Sequence, residues 1–182
     1  MADLDGVPWP PAPIRTPRLL LRRPAASDRD GVIELLCSEA ATRYLGGPQS
    51  RADLSLTLPQ GPTGRPGVFT IEANRQFVGT VSFDRRDASR PGHVRASGLE
   101  IEVSYAVLPD ELGNGYGAEA LAGALGWVAQ VMPREPVVLC TQTANRASMR
   151  VAEQAGFLEV ARFEEFDAEQ WFGVRQPEGA TA

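Results

Sequence analysis

From Ala96 to Val131 the chain passes from an alternating strand pattern, through a glycine-rich turn, into a helical pattern. That succession limits the fold more than any other feature. Ile101, Val103 and Tyr105 alternate with Glu100, Glu102 and Ser104, which predicts a half-buried strand over residues 96–107, ended by Pro109. Gly113, Gly115 and Gly117 then crowd one turn, and from Gly117 to Val131 the residues Ala120, Leu121, Ala124, Leu125 and Val128 share one helical face. Glycines let a backbone approach an anion closely, and N–H groups at a helix start aim positive charge at it. The segment therefore suits a phosphate cradle, although a turn serving only packing would have the same composition.

Two familiar nucleotide sites fit poorly. No Gly-Lys-Ser/Thr follows the glycines, as a P-loop would need. Gly115-Tyr116-Gly117-Ala118-Glu119-Ala120 matches a loose dinucleotide fingerprint, but that site wants an acid about 20 residues on, at the end of the next strand. Here that strand ends Cys140-Thr141-Gln142-Thr143, without one. A nicotinamide or flavin oxidoreductase is disfavoured accordingly.

The other bulk features are permissive. A chain of 182 residues with 43% hydrophobic content suits one domain with a real core. The net charge of -5 argues against a nucleic-acid partner and tolerates a cationic amine. No long uncharged apolar run suggests a membrane span, and Met1–Pro13 lacks the pattern of a secretory signal, so a cytoplasmic protein is expected. With one histidine, His93, and no paired Cys or His spacing, no metal site is expected. His93 itself reads as an exposed loop residue. Cys37 and Cys140 lie in apolar stretches and read as buried, reduced thiols.

Along the chain, residues 1–13 read as a disordered or loosely packed arm, residues 14–176 as the folded domain, and residues 177–182 as a flexible tail. Ile14–Arg23 predicts a first strand, and Ser27 an N-cap for a helix running to about Ala41. A short helix follows at residues 53–58, then a loop at 60–67. Val68–Ala73 and Gln76–Asp84 predict a hairpin turning at Asn74-Arg75. Val137–Thr143 suits a buried central strand, Asn145 opens a helix stopped by Gly156, and residues 157–175 close the chain as a hairpin. Phe69, Phe77, Phe83, Trp127, Phe157 and Phe163 read as core, as do Trp171 and Phe172, which could alternatively border a pocket. The fold class is α/β, a mixed sheet flanked by helices.

Three segments resemble one family. Pro109-Asp110-Glu111-Leu112-Gly113-Asn114-Gly115-Tyr116-Gly117-Ala118-Glu119-Ala120 resembles the acetyl-CoA-binding motif of the GNAT N-acetyltransferases, Q/R-x-x-G-x-G/A followed by a Glu-Ala helix start. Leu112 departs from the usual Gln or Arg, as in the branch of ribosomal-protein N-terminal acetylases. Asn145 to Phe157 resembles the family's N-x-x-S…E-x-x-G-F segment, and Ile14–Arg22 its first strand.

The resemblance implies a mostly antiparallel GNAT sheet and an enzyme using acetyl-CoA. It also implies direct attack of a primary amine on the thioester, through a tetrahedral intermediate, with no metal. Such chemistry needs a base, a donor for the oxyanion and a proton for the thiolate. Glu102 and Glu100 are the candidate bases, placed on one strand face by the period of two; the match of Glu102-Val103-Ser104-Tyr105 to the family's E-I-G-Y favours Glu102. Ser148 matches the position where some members of the family place the thiolate donor, a match strengthened because no tyrosine follows Tyr116; its alternative is to bond the preceding helical turn. Tyr105, Ala106 and Val107 would meet the thioester and pantetheine through their backbone. Leu112, Gly113, Asn114, Gly115, Tyr116, Gly117 and Ala118 would hold the pyrophosphate, and Asn145 and Ser148 would line the pantetheine. Asn145 reads equally as a helix cap. The acceptor could be a small molecule (an aminoglycoside, polyamine or amino acid) or a protein N-terminus, and the family suggests a homodimer. The competing reading is a catalytically inactive acyl-CoA-binding regulatory domain.

Overall fold

The computed structural model describes residues 4, 6–62 and 64–177. The expected tail therefore lies outside the described residues, apart from Pro177. Eight strands form one sheet in the order β1-β2-β3-β4-β5-β6-β8-β7. They are β1 (Ile14–Arg15), β2 (Leu19–Arg22), β3 (Val68–Ala73), β4 (Gln76–Arg85), β5 (Ile101–Val107), β6 (Val137–Gln142), β7 (Leu158–Glu165) and β8 (Ala168–Arg175). Neighbours run antiparallel except β5 and β6, which are parallel. Five helices flank the sheet: α1 (Arg29–Cys37), α2 (Glu39–Thr42), α3 (Arg51–Thr57), α4 (Tyr116–Val131) and α5 (Arg146–Gln154).

Local chemistry explains most of these boundaries. Asn74 and Arg75 adopt φ of 50° and 66°, the left-handed pair that a two-residue hairpin turn requires. Ser38 and Ser50 cap α2 and α3, each accepting from a backbone N–H of the first turn. The expected single helix from Ser27 differs: Ser27 lies in a 3₁₀ turn, Asp28 takes the cap position of α1, and Ser38 in extended conformation separates α1 from α2. Likewise the expected first strand is two short strands folded on each other about Thr16-Pro17.

α4 lays Ala120, Leu121, Ala124, Leu125 and Val128 against one face of the sheet, where all five are buried. Each large side chain so buried contributes roughly 1.5–3 kcal/mol. A smaller apolar cluster, Val138, Phe172 and Val174 with Phe163 and Val94, occupies the other face beside β6 and β8. Trp171 and Phe172 are fully buried, so the pocket-bordering alternative does not hold for them; Phe77 is half-buried beneath Gly31 of α1. Among the described residues no helix is long and apolar enough to cross a membrane.

The N-terminal segment is more anchored than its composition suggests. Leu4 is 1% exposed, and the Trp9 ring stands edge-on to Phe69 at 5.0 Å and to Trp127 at 5.8 Å. Prolines and small residues hide this because the anchoring contacts come from β3 and α4, far away in sequence. Trp9→Ala is expected to lower the unfolding free energy by roughly 2–4 kcal/mol in urea titration. A loss under about 0.5 kcal/mol would mean that the segment is not part of the core.

Candidate active site

The glycine loop crosses from β5 to α4. Gly113 and Gly115 have φ of 82° and 76°, which other residues adopt only with strain, and Gly115 is the N-terminal cap of α4. The first helical bond runs from Glu119 N–H to the Gly115 carbonyl at 3.1 Å. The N–H groups of Tyr116, Gly117 and Ala118 consequently have no acceptor within the helix and point out of its positive end. Leu112, Gly113, Asn114 and Gly115 are exposed, and Tyr116, Gly117 and Ala118 half-buried. Arg18, which sequence reasoning missed, ties the loop down. Its Nη1 donates to the Asn114 carbonyl at 2.7 Å, its Nε to Glu119 at 2.7 Å, and its guanidinium lies 5.0 Å over the Tyr116 ring. Thr16 adds a 2.6 Å bond to the same glutamate.

Beside this loop the sheet comes apart. β5 and β6 are in register only at Ile101–Val137 and Glu102–Val138. From Val103 to Val107 the edge of β5 facing β6 has no strand partner among the described residues, so backbone N–H and C=O groups there stay available to a ligand. Side chains from both banks meet across the gap. Tyr105 Oη lies 3.1 Å from Ser148 Oγ, the Ser148 N–H donates to Asn145 Oδ1 at 3.2 Å, and Asn145 Nδ2 donates to Thr141 Oγ1 at 3.3 Å. Asn145 does cap α5. Burial raises the Tyr105 phenol above its ordinary value, and Ser148 offsets this in part. Ser148 is the expected proton donor from its place in the family motif, the more so because no tyrosine follows Tyr116. The structure puts a second hydroxyl beside it, from a tyrosine earlier in the chain. Strand alternation, which sends Tyr105 opposite to Glu102 and Ser104, was the available signal.

On the other face, Glu102 sits in a half-buried ionic cluster. Arg86 Nη1 reaches its Oε1 at 2.5 Å and Arg90 Nη1 its Oε2 at 3.1 Å, while Arg90 also grips Glu165 through Nε and Nη2. The Arg86 side chain is 0% exposed; it donates further to the Gly92 and Pro91 carbonyls and lies 5.0 Å over the Phe172 ring. Burial pushes the Glu102 carboxyl above the usual carboxylate range, against the pull of both arginines. Neighbouring Cys140 has its thiol pushed up to about 11, again by burial. Cys37 and Cys140 are both free and half-buried, less enclosed than expected.

Glu100 does not share this setting. Leu99 at φ 66° breaks the strand, and Glu100 precedes β5. Its side chain is wholly buried and accepts from the Val94 and Arg95 N–H groups at 2.8 and 2.7 Å, with His93 Nδ1 at 2.8 Å. Period-two alternation therefore fails one residue outside the strand, and the two glutamates do different work. His93, expected to be exposed, is the partner of this carboxylate with 19% of its side chain accessible. Burial opposes ionisation of Glu100, but His93 and the two amides outweigh it and hold the carboxyl below its usual range. Its stabilisation is accordingly present above the unfolded value, near 4.3, and is lost as pH falls through the lowered folded value. Glu100→Ala should cost roughly 2–4 kcal/mol of unfolding free energy at neutral pH, a difference that shrinks as the pH is lowered. An unchanged denaturation midpoint would show that the carboxylate is dispensable.

Opposite residues in register share a face, so Ser82 neighbours Ser104, and Thr80 neighbours Ala106, on the Glu102 side of the sheet. A cavity of about 350 Å³ opens over Thr80 and Ser82 and runs under α1 to the loop at residues 58–65. Among the described residues no group of His, Cys, Asp and Glu gathers in a way that would hold a metal ion.

Known proteins can now be set beside this geometry. No curated protein sequence matches the chain. Solved structures share the fold at low identity. A GNAT-family acetyltransferase from Bacillus anthracis superposes with a TM-score of 0.74 at 18% identity, over 91% of this chain and 98% of that one. Spermidine N-acetyltransferase from Vibrio cholerae, with CoA and spermine, gives 0.70 at 15% identity over 89% and 97%. An aminoglycoside acetyltransferase in complex with coenzyme A gives 0.70 at 15% identity over 87% and 94%. The family model described as "Acetyltransferase (GNAT) domain" matches residues 18–158, most of the sequence, including the glycine loop, β5 and α5. The chain belongs to the GNAT acetyltransferases.

Proposed function

We propose that this protein transfers the acetyl group of acetyl-CoA to a primary amine by direct attack on the thioester. The observation that carries this reading is the parted β5–β6 pair with the N-terminus of α4 at its mouth. An extended amide-bearing arm can add to the free edge of β5 much as a strand would, while its pyrophosphate meets the N–H groups of residues 113–118. The presence of CoA in similar solved structures supports the same cofactor here.

Acetyl-CoA supplies the activated acyl group. Around it, the chain's residues take the following roles. Glu102 would take one proton from the incoming ammonium, freeing its lone pair to bond to the acetyl carbon before the carbon–sulfur bond breaks. The second nitrogen proton would return to the Tyr105 oxygen once that hydroxyl has protonated the departing sulfur. Backbone N–H groups on the free edge of β5, between Tyr105 and Val107, donate to the oxygen as it gains charge. Tyr105, in contact with Ser148, gives the departing sulfur its proton, so the pair of hydroxyls takes the role expected of Ser148 alone. Glu100 holds the loop at residues 93–95 and serves structure, not proton transfer. The acceptor is an amine on a small molecule or at a protein N-terminus; a place in the ribosomal-protein acetylase branch is supported by Leu112 alone.

Glu102→Gln tests the assignment. The base must be ionised to act, and its carboxyl is raised, so the acid limb of kcat/KM should lie above the usual glutamate range, with activity lost as pH falls through it. The variant should lose about 10²–10⁴-fold in kcat and that limb with it, while CoA affinity by calorimetry stays the same. Thiol release at an unaltered rate and pH profile would remove Glu102 from the mechanism. CoA binding without thiol release on any amine would support the inactive regulatory domain instead.

A further inference from the structure

The cavity beside Thr80 and Ser82 has an uneven set of charged groups in its lining. Among its described lining residues the charged side chains are Asp28, Arg29 and Arg65. Asp28 is fully committed: Arg22 grips both its oxygens at 2.8 Å, and Oδ2 also accepts from the Ala25 N–H at 2.8 Å and the Thr70 hydroxyl at 2.7 Å. Burial works against its ionisation, yet these partners together hold the carboxyl below its usual range. The carboxylate is thus held by four hydrogen bonds inside the fold, and its charge is paired with Arg22, which also bonds Glu72. Arg65 meets Asp84 at 3.0 Å.

Arg29 differs from both. Among the described residues it has no carboxylate partner; Nη2 donates to the Ser55 carbonyl at 2.8 Å, and the buried Nε–H has no acceptor. A guanidinium fork is built to meet an oxyanion, and one facing a largely apolar cavity strengthens its attraction to such a group while repelling cations. The remaining walls, Val32, Leu58 and Val68 among them, would cover an aliphatic chain between the two ends. At about 350 Å³ the cavity is near the small end of ligand pockets.

We infer that this cavity selects a small amine whose far end carries an anionic oxygen group, such as a carboxylate, with Arg29 as the residue that recognises it. The inference rests on the acetyl-transfer reading above, because it takes the cavity as the acceptor side of that site. It separates this chain from an enzyme for polyamines: a second ammonium in the cavity would meet Arg29 and no free carboxylate.

Three amines of equal chain length provide the test: γ-aminobutyrate, butylamine and putrescine, with an anionic, a neutral and a cationic far end. Wild-type protein with acetyl-CoA should release thiol with γ-aminobutyrate at a kcat/KM at least about tenfold above the other two, the scale of one charge-assisted hydrogen bond. Arg29→Ala should erase that preference through KM, and Arg29→Lys should keep part of it. CoA affinity and melting temperature should match wild type, reporting an intact fold. Equal rates for the three amines, a preference for putrescine, or a preference that survives Arg29→Ala would each overturn the inference. Calorimetry of the CoA-loaded protein with the same amines keeps the two readings apart. Arg29-dependent binding of γ-aminobutyrate without any thiol release would sink the acetyl-transfer reading and sustain the anionic pocket; no selective binding and no selective turnover would sink the pocket.

Discussion

A parallel strand pair that makes contact only at its first residues leaves a row of backbone amides with nothing to bond. Here that row is the edge of β5 from Val103 to Val107, and most of the molecule is arranged around it. Five strands on one side, β1 to β5, and three on the other, β6, β8 and β7, are each held by antiparallel ladders. The two groups can therefore diverge without either losing its own hydrogen bonds. α4 and α5 share one core on the same face, with Trp171 and Phe157 buried in it. An opening in a sheet is costly unless something fills it, which is why a ligand with amides along its length is the natural occupant.

Charge is distributed on either side of that opening with unequal burial. The Arg18–Glu119 pair, half-exposed on the arginine side, positions the glycine loop more than it stabilises the fold, as surface pairs contribute little. Arg86 and Glu102 are a different case. A buried guanidinium with every direction satisfied by carbonyls, a carboxylate and two rings cannot move without leaving a charge unpaired, so it fixes where Glu102 sits. Burial, opposed by both arginines, raises the Glu102 carboxyl, which is the direction the proposed base requires. At the cavity Arg22 bridges Asp28 and Glu72, while Arg29 has no carboxylate partner among the described residues.

Much of this was legible in the chain because the informative signals were local. Glycines 113 and 115 announced a left-handed turn, Asn145 a helix cap, and Asn74-Arg75 a hairpin, each within a few residues of the structure it specifies. What escaped was set by distant partners. Alternation places Glu100 on one strand face with Glu102, but Leu99 turns the backbone and removes it from the strand; Trp9 reads as part of a loose arm because Phe69 and Trp127 lie far off in sequence. The contact of Tyr105 with Ser148 crosses a gap that no periodicity describes, and the roles of Arg86, Arg90 and Arg18 depend on loops whose course the sequence leaves open.

The central claim is that the free edge of β5 and the start of α4 together hold the cofactor. Amide hydrogen exchange of the protein with and without CoA addresses it directly. Binding should slow exchange at residues 103–107 and 113–118 together, leaving the β3–β4 hairpin turn at Asn74-Arg75 unchanged. Protection confined to other segments, or a CoA complex in which both stretches exchange as in the free protein, would contradict the account.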